Sequence, residues 1–191
     1  MDHKTIIEAV EELFESECVS LFKSMNCSPT RIYIEDPELI NLLNKSPLAA
    51  IDAGSNEIEF NIAIQVPMTV LAMTYPLLGE IVLQENSLSS VNDERLEDWI
   101  SEISNQLIGR LKTKLTQRNC QISLGLPSTY FGIDANNVLA DDGKKITIYF
   151  DLDGVICACH ISIEFFSDNI EFDEFNDDNI DILPEGEIEL F

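Results

Sequence analysis

Four polar or small residues in the middle of the chain have the types and spacing of a binding or catalytic stripe. They are Asp98, Glu102, Asn105 and Gly109. At about 100° per residue, this spacing places all four on one narrow side of a helix. A carboxylate and a carboxamide three residues apart then project side by side. The glycine costs a helix about 1 kcal/mol relative to alanine, which indicates a packing or docking reason for its presence.

The helix that must position this stripe is predicted from Asn92 to Arg118. Apolar side chains gather on the side opposite the stripe: Leu96, Trp99, Ile100, Ile103, Leu107 and Leu111. Acids occupy its first turns and bases its last turns, as the helix dipole favours. We therefore expect a long amphipathic helix with its apolar side, including Trp99, in the core and its polar stripe in solvent.

Composition limits the classes of partner. The 191 residues, 45% of them hydrophobic, suffice for one substantial core. A net charge of −24 repels nucleic-acid phosphate and anionic lipid, so we expect neither nucleic acid nor membrane as a partner. No secretory signal is recognised at the start, and the longest apolar stretch, Val66 to Leu78, is too short and too interrupted to span a bilayer. These features favour a soluble, cytoplasmic protein.

Five cysteines occur without any C-x-x-C spacing, which is typical of reduced thiols. Cys157, Cys159 and His160 stand close together in sequence, but they lack a second pair of ligands, and a metal site is not favoured.

The remaining elements are predicted from the period of the apolar residues. The order is a helix from Lys4 to Ser24, a short strand from Arg31 to Glu35, a short helix from Asp36 to Asn44, a half-buried hairpin around Gly54, a helix from Pro67 to about Leu78, a polar linker from Glu80 to Ser90, the long helix, a strand region from Cys120 to Phe131, and a hairpin from Lys145 to Phe165. From Glu164 onward the chain has eleven acids and no base. We divide it into a domain at residues 1–166 and an acidic tail, docked or mobile, at 167–191.

A second candidate for a catalytic site competes with the stripe. The run from Ile146 to Ile156 resembles the first motif of haloacid-dehalogenase-type phosphotransferases, in which Asp151 would be the nucleophile. Such enzymes need a later lysine and later acids that hold magnesium. Fewer than forty residues follow the motif and none is Lys or Arg. A hairpin turn at Asp153-Gly154 is the favoured interpretation.

The Glu-x-x-Asn spacing alone is a weak signal, because Glu38 and Asn41 share it. The surroundings differ. The positions that correspond to Asp98 and Gly109 hold Ile34 and Lys45, and the predicted helix is short.

With its context, the stripe resembles a known family. The run Asp98 to Gly109, followed by Leu111, Lys114-Leu115, Leu126 to Thr129 and Gly132, is similar to the signature of CheX-like chemotaxis phosphatases of the CheC, CheX and FliY group. The resemblance extends over roughly Ile6 to Phe166. The chain departs from the pattern by having Asp98 where serine is also common, by extra residues between Thr30 and Pro47, and by its acidic tail.

The resemblance implies an α+β fold of the CheC/CheX type, with an antiparallel sheet carrying two long helices on one face. It also implies a homodimer joined through the sheet. Members of this family remove the phosphoryl group from the aspartyl phosphate of CheY-type response regulators. The family needs no metal of its own, and Mg²⁺ is expected in the partner receiver domain. A non-catalytic adaptor that binds a receiver domain or a flagellar switch component is the alternative.

The resemblance also assigns roles to the stripe. Asn105 would orient the attacking water, and Glu102 would pair with the conserved lysine of the regulator. Asp98 would be a contact at the rim, Gly109 would give clearance, and Lys112 could offset repulsion between two acidic proteins. Acyl phosphates are already activated, so positioning a water beside a partner-held magnesium ion can suffice for catalysis.

Overall fold

The structure is a computed structural model, and it describes residues 2–75, 93–168 and 170–173. Its helices are α1 (His3–Ser24), α2 (Pro37–Leu43), α3 (Met68–Thr74) and α4 (Asp93–Thr116). Its strands are β1 (Pro29–Ile32), β2 (Leu48–Gly54), β3 (Ile58–Gln65), β4 (Ser123–Leu124), β5 (Ser128–Tyr130), β6 (Lys144–Leu152) and β7 (Val155–Phe165), with a 3-10 turn at Ala135–Asn137.

The seven strands form one antiparallel sheet. The strand order is β1-β6-β7-β3-β2-β4, and β5 pairs with β2 beside β4. Helices α1 and α4 contact each other and pack on the same face of this sheet. The predicted fold class, an α+β domain with two long helices on one face of an antiparallel sheet, is therefore confirmed.

The main core lies between these two helices and the sheet. Helix α1 contributes apolar side chains at helical spacing, and the strands contribute alternate residues, as their two-residue period requires. The largest fully buried side chains of this layer include Phe14, Phe22, Phe60 and Phe150. The rings of Phe22 and Phe150 meet edge to face at 5.4 Å between centroids. These contacts fix α1 across the sheet.

The opposite face of the sheet is also covered, which the sequence did not predict. The hairpin of β2 and β3 was expected to bury one face only, but β3 is almost wholly buried because it lies inside the sheet and the loop before β6 packs over it. A second apolar cluster forms there from Leu48, Ala63, Ala135 and Leu139. The backbone N–H of Ala140 donates to Asn61 Oδ1 at 3.0 Å, which ties the loop to the sheet.

One ionisable group is buried on this second face. The Nδ1 atom of His160 lies 3.0 Å from the Thr147 hydroxyl. Burial lowers the pKa of His160 to about 4, although the nearby Asp134 carboxylate acts in the opposite direction. The imidazole is therefore neutral at pH 7.

Some predicted boundaries were wrong. Strand β1 begins and ends earlier than the predicted Arg31 to Glu35. Helix α3 ends at Thr74 rather than near Leu78, because Tyr75 has extended backbone angles. The strand region from Cys120 to Phe131 contains only the short β4 and β5. The predicted linker from Glu80 to Ser90 lies outside the described residues.

The start of the predicted acidic tail packs against the end of α4. Ile170 and Phe172 are buried, and the backbone N–H of Asp173 donates to the carbonyl of Arg118 at 2.9 Å. Residues 174–191 lie outside the described ranges, so the predicted division at residue 166 stays a prediction. Among the helices described, none is long and apolar enough to cross a membrane.

Candidate active site on helix α4

The backbone of α4 is held firmly by its apolar side. Seven of its side chains are buried in the main core: Leu96, Ile100, Ile103, Leu107, Ile108, Leu111 and Leu115. On the side facing α1, the Arg110 guanidinium donates to Ser20 Oγ at 2.9 Å and to Ser24 Oγ at 3.2 Å. These contacts fix the rotation of α4 about its own axis, so the direction in which each outward Cα–Cβ bond points is fixed as well.

The opposite side of α4 carries the predicted stripe to the surface. Asp98, Glu102 and Asn105 are exposed, and Gly109 and Lys112 are half-buried. The structure thus brings all five predicted site residues to one solvent-facing side of one helix. Their catalytic and partner-binding roles stay predictions.

Glu102 is the stripe residue whose orientation is fixed by a neighbour. Gln106 Nε2 donates to Glu102 Oε1 at 2.9 Å, one helical turn away. This bond occupies one carboxylate oxygen and leaves the other available for a cation. By contrast, no side chain within the described part of the chain bonds the Asn105 carboxamide, which can both donate and accept hydrogen bonds.

Gly109 leaves a shallow gap in the surface of the helix. A Cβ atom built at this position would meet no heavy atom within 4 Å. Packing within the described part of this chain therefore does not require a glycine there. The observation is in accord with a glycine that gives clearance to something docking on the stripe, as the sequence suggested.

A cleft of about 490 Å³ lies beside α4 at Gln106, the residue that donates to Glu102. Its walls come from the end of α1, the end of α3, the turn between β6 and β7, and two α4 residues, Trp99 and Gln106. Trp99 was predicted to lie in the core; it packs against the main core, but it is half-buried and also forms part of this wall. Trp99 Nε1 donates to Thr74 Oγ1 at 3.0 Å, which holds the indole in place.

Gln106 and this cleft were missed by the sequence analysis. Gln106 follows Glu102 by four residues, a spacing at which helix side chains meet, so their pairing could have been predicted from spacing. The cleft joins segments that are far apart in the chain, and no local pattern indicates it.

The competing candidates have different surroundings. Asp151 lies beside a tight turn in which Asp153 (φ 54°) and Gly154 (φ 94°) both have positive φ, and its Oδ1 accepts the Gly154 N–H at 2.6 Å. This geometry confirms the predicted hairpin turn. Cys157 and Cys159 face the main core, whereas His160 faces the other side of the sheet. Across the described ranges, no three His, Cys, Asp or Glu side chains cluster so as to hold a metal ion.

No protein-family profile and no curated protein sequence matches this chain. Several solved structures, however, are similar to it. The chemotaxis protein CheX from Vibrio vulnificus superposes with a TM-score of 0.63 at 16% identity, over 82% of this chain and 99% of that one. A CheC-like superfamily protein from Shewanella sp. PV-4 gives a TM-score of 0.61 at 19% identity, over 81% and 97% of the two chains.

A third similar structure contains a second protein. It is the CheX–CheY–BeF3–Mg²⁺ complex from Borrelia burgdorferi, with a TM-score of 0.55 and 18% identity over 80% of this chain and 96% of that one. The class that the fold defines is therefore the CheC/CheX-like α+β fold, as the resemblance implied.

Proposed function

We propose that this protein is a CheX-like phosphatase, which hydrolyses the aspartyl phosphate of a CheY-type response regulator in bacterial chemotaxis or related two-component signalling. The observation that carries the proposal is the exposure of Glu102 and Asn105, three residues apart, on a helix whose other side is anchored in the core. The fold adds support, because it is shared with a CheX protein solved together with CheY.

The chemistry suits the residues of the stripe. An aspartyl phosphate is a mixed anhydride with a good leaving group, so a water held in line with the scissile P–O bond suffices for attack. Asn105 holds that water through its carboxamide oxygen. The receiver's aspartate leaves as a carboxylate, and no covalent intermediate forms on this chain. Mg²⁺ belongs to the receiver, where it offsets the phosphoryl charge.

The neighbouring residues position the partner. Glu102 pairs with the receiver's lysine through the carboxylate oxygen that Gln106 leaves available. Asp98 contacts the partner at the rim, and Gly109 lets the receiver approach the helix backbone. Lys112 offsets part of the repulsion between two acidic surfaces, since this chain carries a net charge of −24.

The setting we propose is the bacterial cytoplasm, and the assembly is a homodimer joined through the sheet. None of the five cysteines, all of which are described, forms a disulfide, as is usual in a reducing compartment. The dimer follows from resemblance to the family. Sedimentation equilibrium would test it, and a mass of one 21.5 kDa chain at micromolar concentration would contradict it.

The test of the activity is the decay of a phosphorylated CheY-type receiver with Mg²⁺ and wild-type protein, Glu102→Ala or Asn105→Ala. The wild type should accelerate decay and both variants should lose most of the effect. Asn41→Ala is the matched control, because Asn41 has the same spacing from a glutamate on another exposed helix.

Two other outcomes are informative. If the wild type binds activated receivers without accelerating decay, the protein is a non-catalytic adaptor. If Asn105→Ala retains full activity, the water-positioning role of the stripe is wrong.

A further inference from the structure

The cleft beside α4 opens directly next to the proposed active site. Gln106 belongs to both features, since it donates to Glu102 on one side and lines the cleft on the other. A receiver that docks on Glu102 therefore lies beside Gln106 and this cleft.

One part of the cleft wall is aromatic and apolar, whereas Ser24, Asn26 and Gln106 make other parts polar. The rings of Tyr75 and Trp99 meet edge to face, with centroids 5.8 Å apart and planes at 88°. The Trp99 indole is held by its hydrogen bond to Thr74. Met73, which also lines the cleft, exposes 72% of its surface. An aliphatic chain could lie against these groups and remove their apolar surface from water.

The turn between β6 and β7 brings a negative charge to the cleft. Among the described residues that line it, Asp153 is the only carboxylate, and none is Lys or Arg. Asp153 Oδ2 accepts the backbone N–H of Ser28 at 3.1 Å, so the carboxylate is held at the rim. Cys27 also lines the cleft, and the pKa of its thiol is raised first by burial and next by the Asp153 charge.

A cleft that combines an aromatic, apolar wall with a carboxylate fits a long side chain with a terminal cation. Lysine and arginine have that form, and their cations are also attracted to aromatic faces. Acidic or phosphorylated groups would be repelled by Asp153 and by the net charge of the whole chain.

We propose that this cleft binds a second basic side chain, a lysine or arginine on the receiver surface near its phosphorylation site, while Glu102 pairs with the receiver's active-site lysine. The inference rests on the proposed function and adds to it a second point of recognition. Two acidic contacts at separate places, Glu102 and Asp153, fix the rotation of the receiver on α4, so that the phosphoryl group faces Asn105.

Asp153→Asn is the variant that tests the charge alone. Asp153 has φ 54°, a conformation that asparagine tolerates well, and an asparagine oxygen can still accept the Ser28 N–H. The affinity for a receiver activated with beryllofluoride and Mg²⁺ should fall about threefold to fivefold. The control is Asp142→Asn, which removes one exposed acid outside the cleft and should leave the affinity unchanged. Equal affinities for the wild type and Asp153→Asn would overturn the proposal, as would equal losses in the two variants.

Alkylation of Cys27 gives an independent readout. Cys27 lines the cleft and is half-buried, whereas the other four cysteines are buried. Saturating activated receiver should slow the reaction of Cys27 with iodoacetamide several-fold, measured by mass spectrometry of its peptide. If the receiver is dephosphorylated while Cys27 reacts at an unchanged rate, the cleft proposal fails and the proposed function stands. A receiver that neither binds nor decays faster overturns both.

Discussion

Two helices of this protein present the same Glu-x-x-Asn spacing to solvent, and they differ in what holds them. Glu38 and Asn41 are exposed on α2, which has 7 residues and buries only Leu43. Glu102 and Asn105 are exposed on α4, which has 24 residues and buries seven apolar side chains. The difference teaches that a Glu-x-x-Asn spacing suits catalysis only where the other side of its helix is anchored in the core. Catalysis by positioning requires a fixed backbone.

The local stabilisation of the two helices differs in the same way. Asp36 caps the N-terminus of helix α2, since its Oδ1 accepts the Glu38 N–H at 2.9 Å. Pro37 occupies the first turn. A helix of this length is marginal without tertiary packing. Helix α4 has that packing along its whole length, and Arg110 ties it to α1.

The largest effect should come from removing support under the stripe. Leu107→Ala empties a fully buried position, so the free energy of unfolding should fall by about 3 kcal/mol. Leu42→Ala on α2 removes a side chain that is 63% exposed and should change it by less than about 0.5 kcal/mol. Urea unfolding measures both, and similar losses would contradict the contrast between the helices.

The second-largest effect is expected on the rate of receiver dephosphorylation. Asn105→Ala should lower the acceleration of receiver dephosphorylation by about 100-fold, because the attacking water loses its orientation. Asn41→Ala should leave the rate unchanged. Single-turnover decay with enzyme in excess separates this loss from weaker binding. A rate affected equally by the two substitutions would remove the distinction between the motifs.

Charge removal at the glutamates should have a smaller effect. Glu102→Gln keeps the size of the side chain and loses the ion pair with the receiver's lysine, so affinity for the activated receiver should fall about tenfold. Glu38→Gln makes the same change on α2 and should have no effect. Isothermal titration distinguishes them, and an unaltered affinity for Glu102→Gln would show that no cation pairs with this carboxylate.

The smallest effect concerns the gap at Gly109. Gly109→Ala places a methyl group in open space, so the helix should gain about 1 kcal/mol in stability. The same methyl group should weaken receiver binding several-fold if the partner approaches the backbone there. Lys45→Ala at the corresponding place after α2 should not change binding. A more stable protein with unchanged affinity would show that the gap gives no clearance to the receiver.

The sequence predicted those parts of the fold that local periodicity encodes. Helix α4, the β6–β7 hairpin and its Asp153-Gly154 turn came from spacing and turn chemistry, and so did the exposed positions of Glu102 and Asn105. These features depend on neighbours along the chain, and therefore a pattern within about a dozen residues suffices to place them.

Long-range placement was not predictable in this way. The burial of β3 on both sides depends on a loop about 75 residues later, which carries Ala135 and Leu139. The position of Trp99 in a cleft wall depends on the ends of α1 and α3. A single apolar residue looks the same in sequence whether it faces a core or a cleft, so only the tertiary structure distinguishes the two.

The neutral imidazole of His160 on the second face of the sheet makes the stability of the folded protein decrease in acid. Its pKa is about 4 in the folded chain and 6.5 in a free side chain, so the unfolded state binds the extra proton first. The stabilisation is fully present above pH 6.5 and is lost as the pH falls toward 4, by about 2 kcal/mol at pH 5. Urea midpoints at pH 5 and pH 7 should therefore differ more in the wild type than in His160→Gln. Below pH 6.5 the free energy of unfolding therefore decreases, independently of any effect of pH on the chemistry at α4.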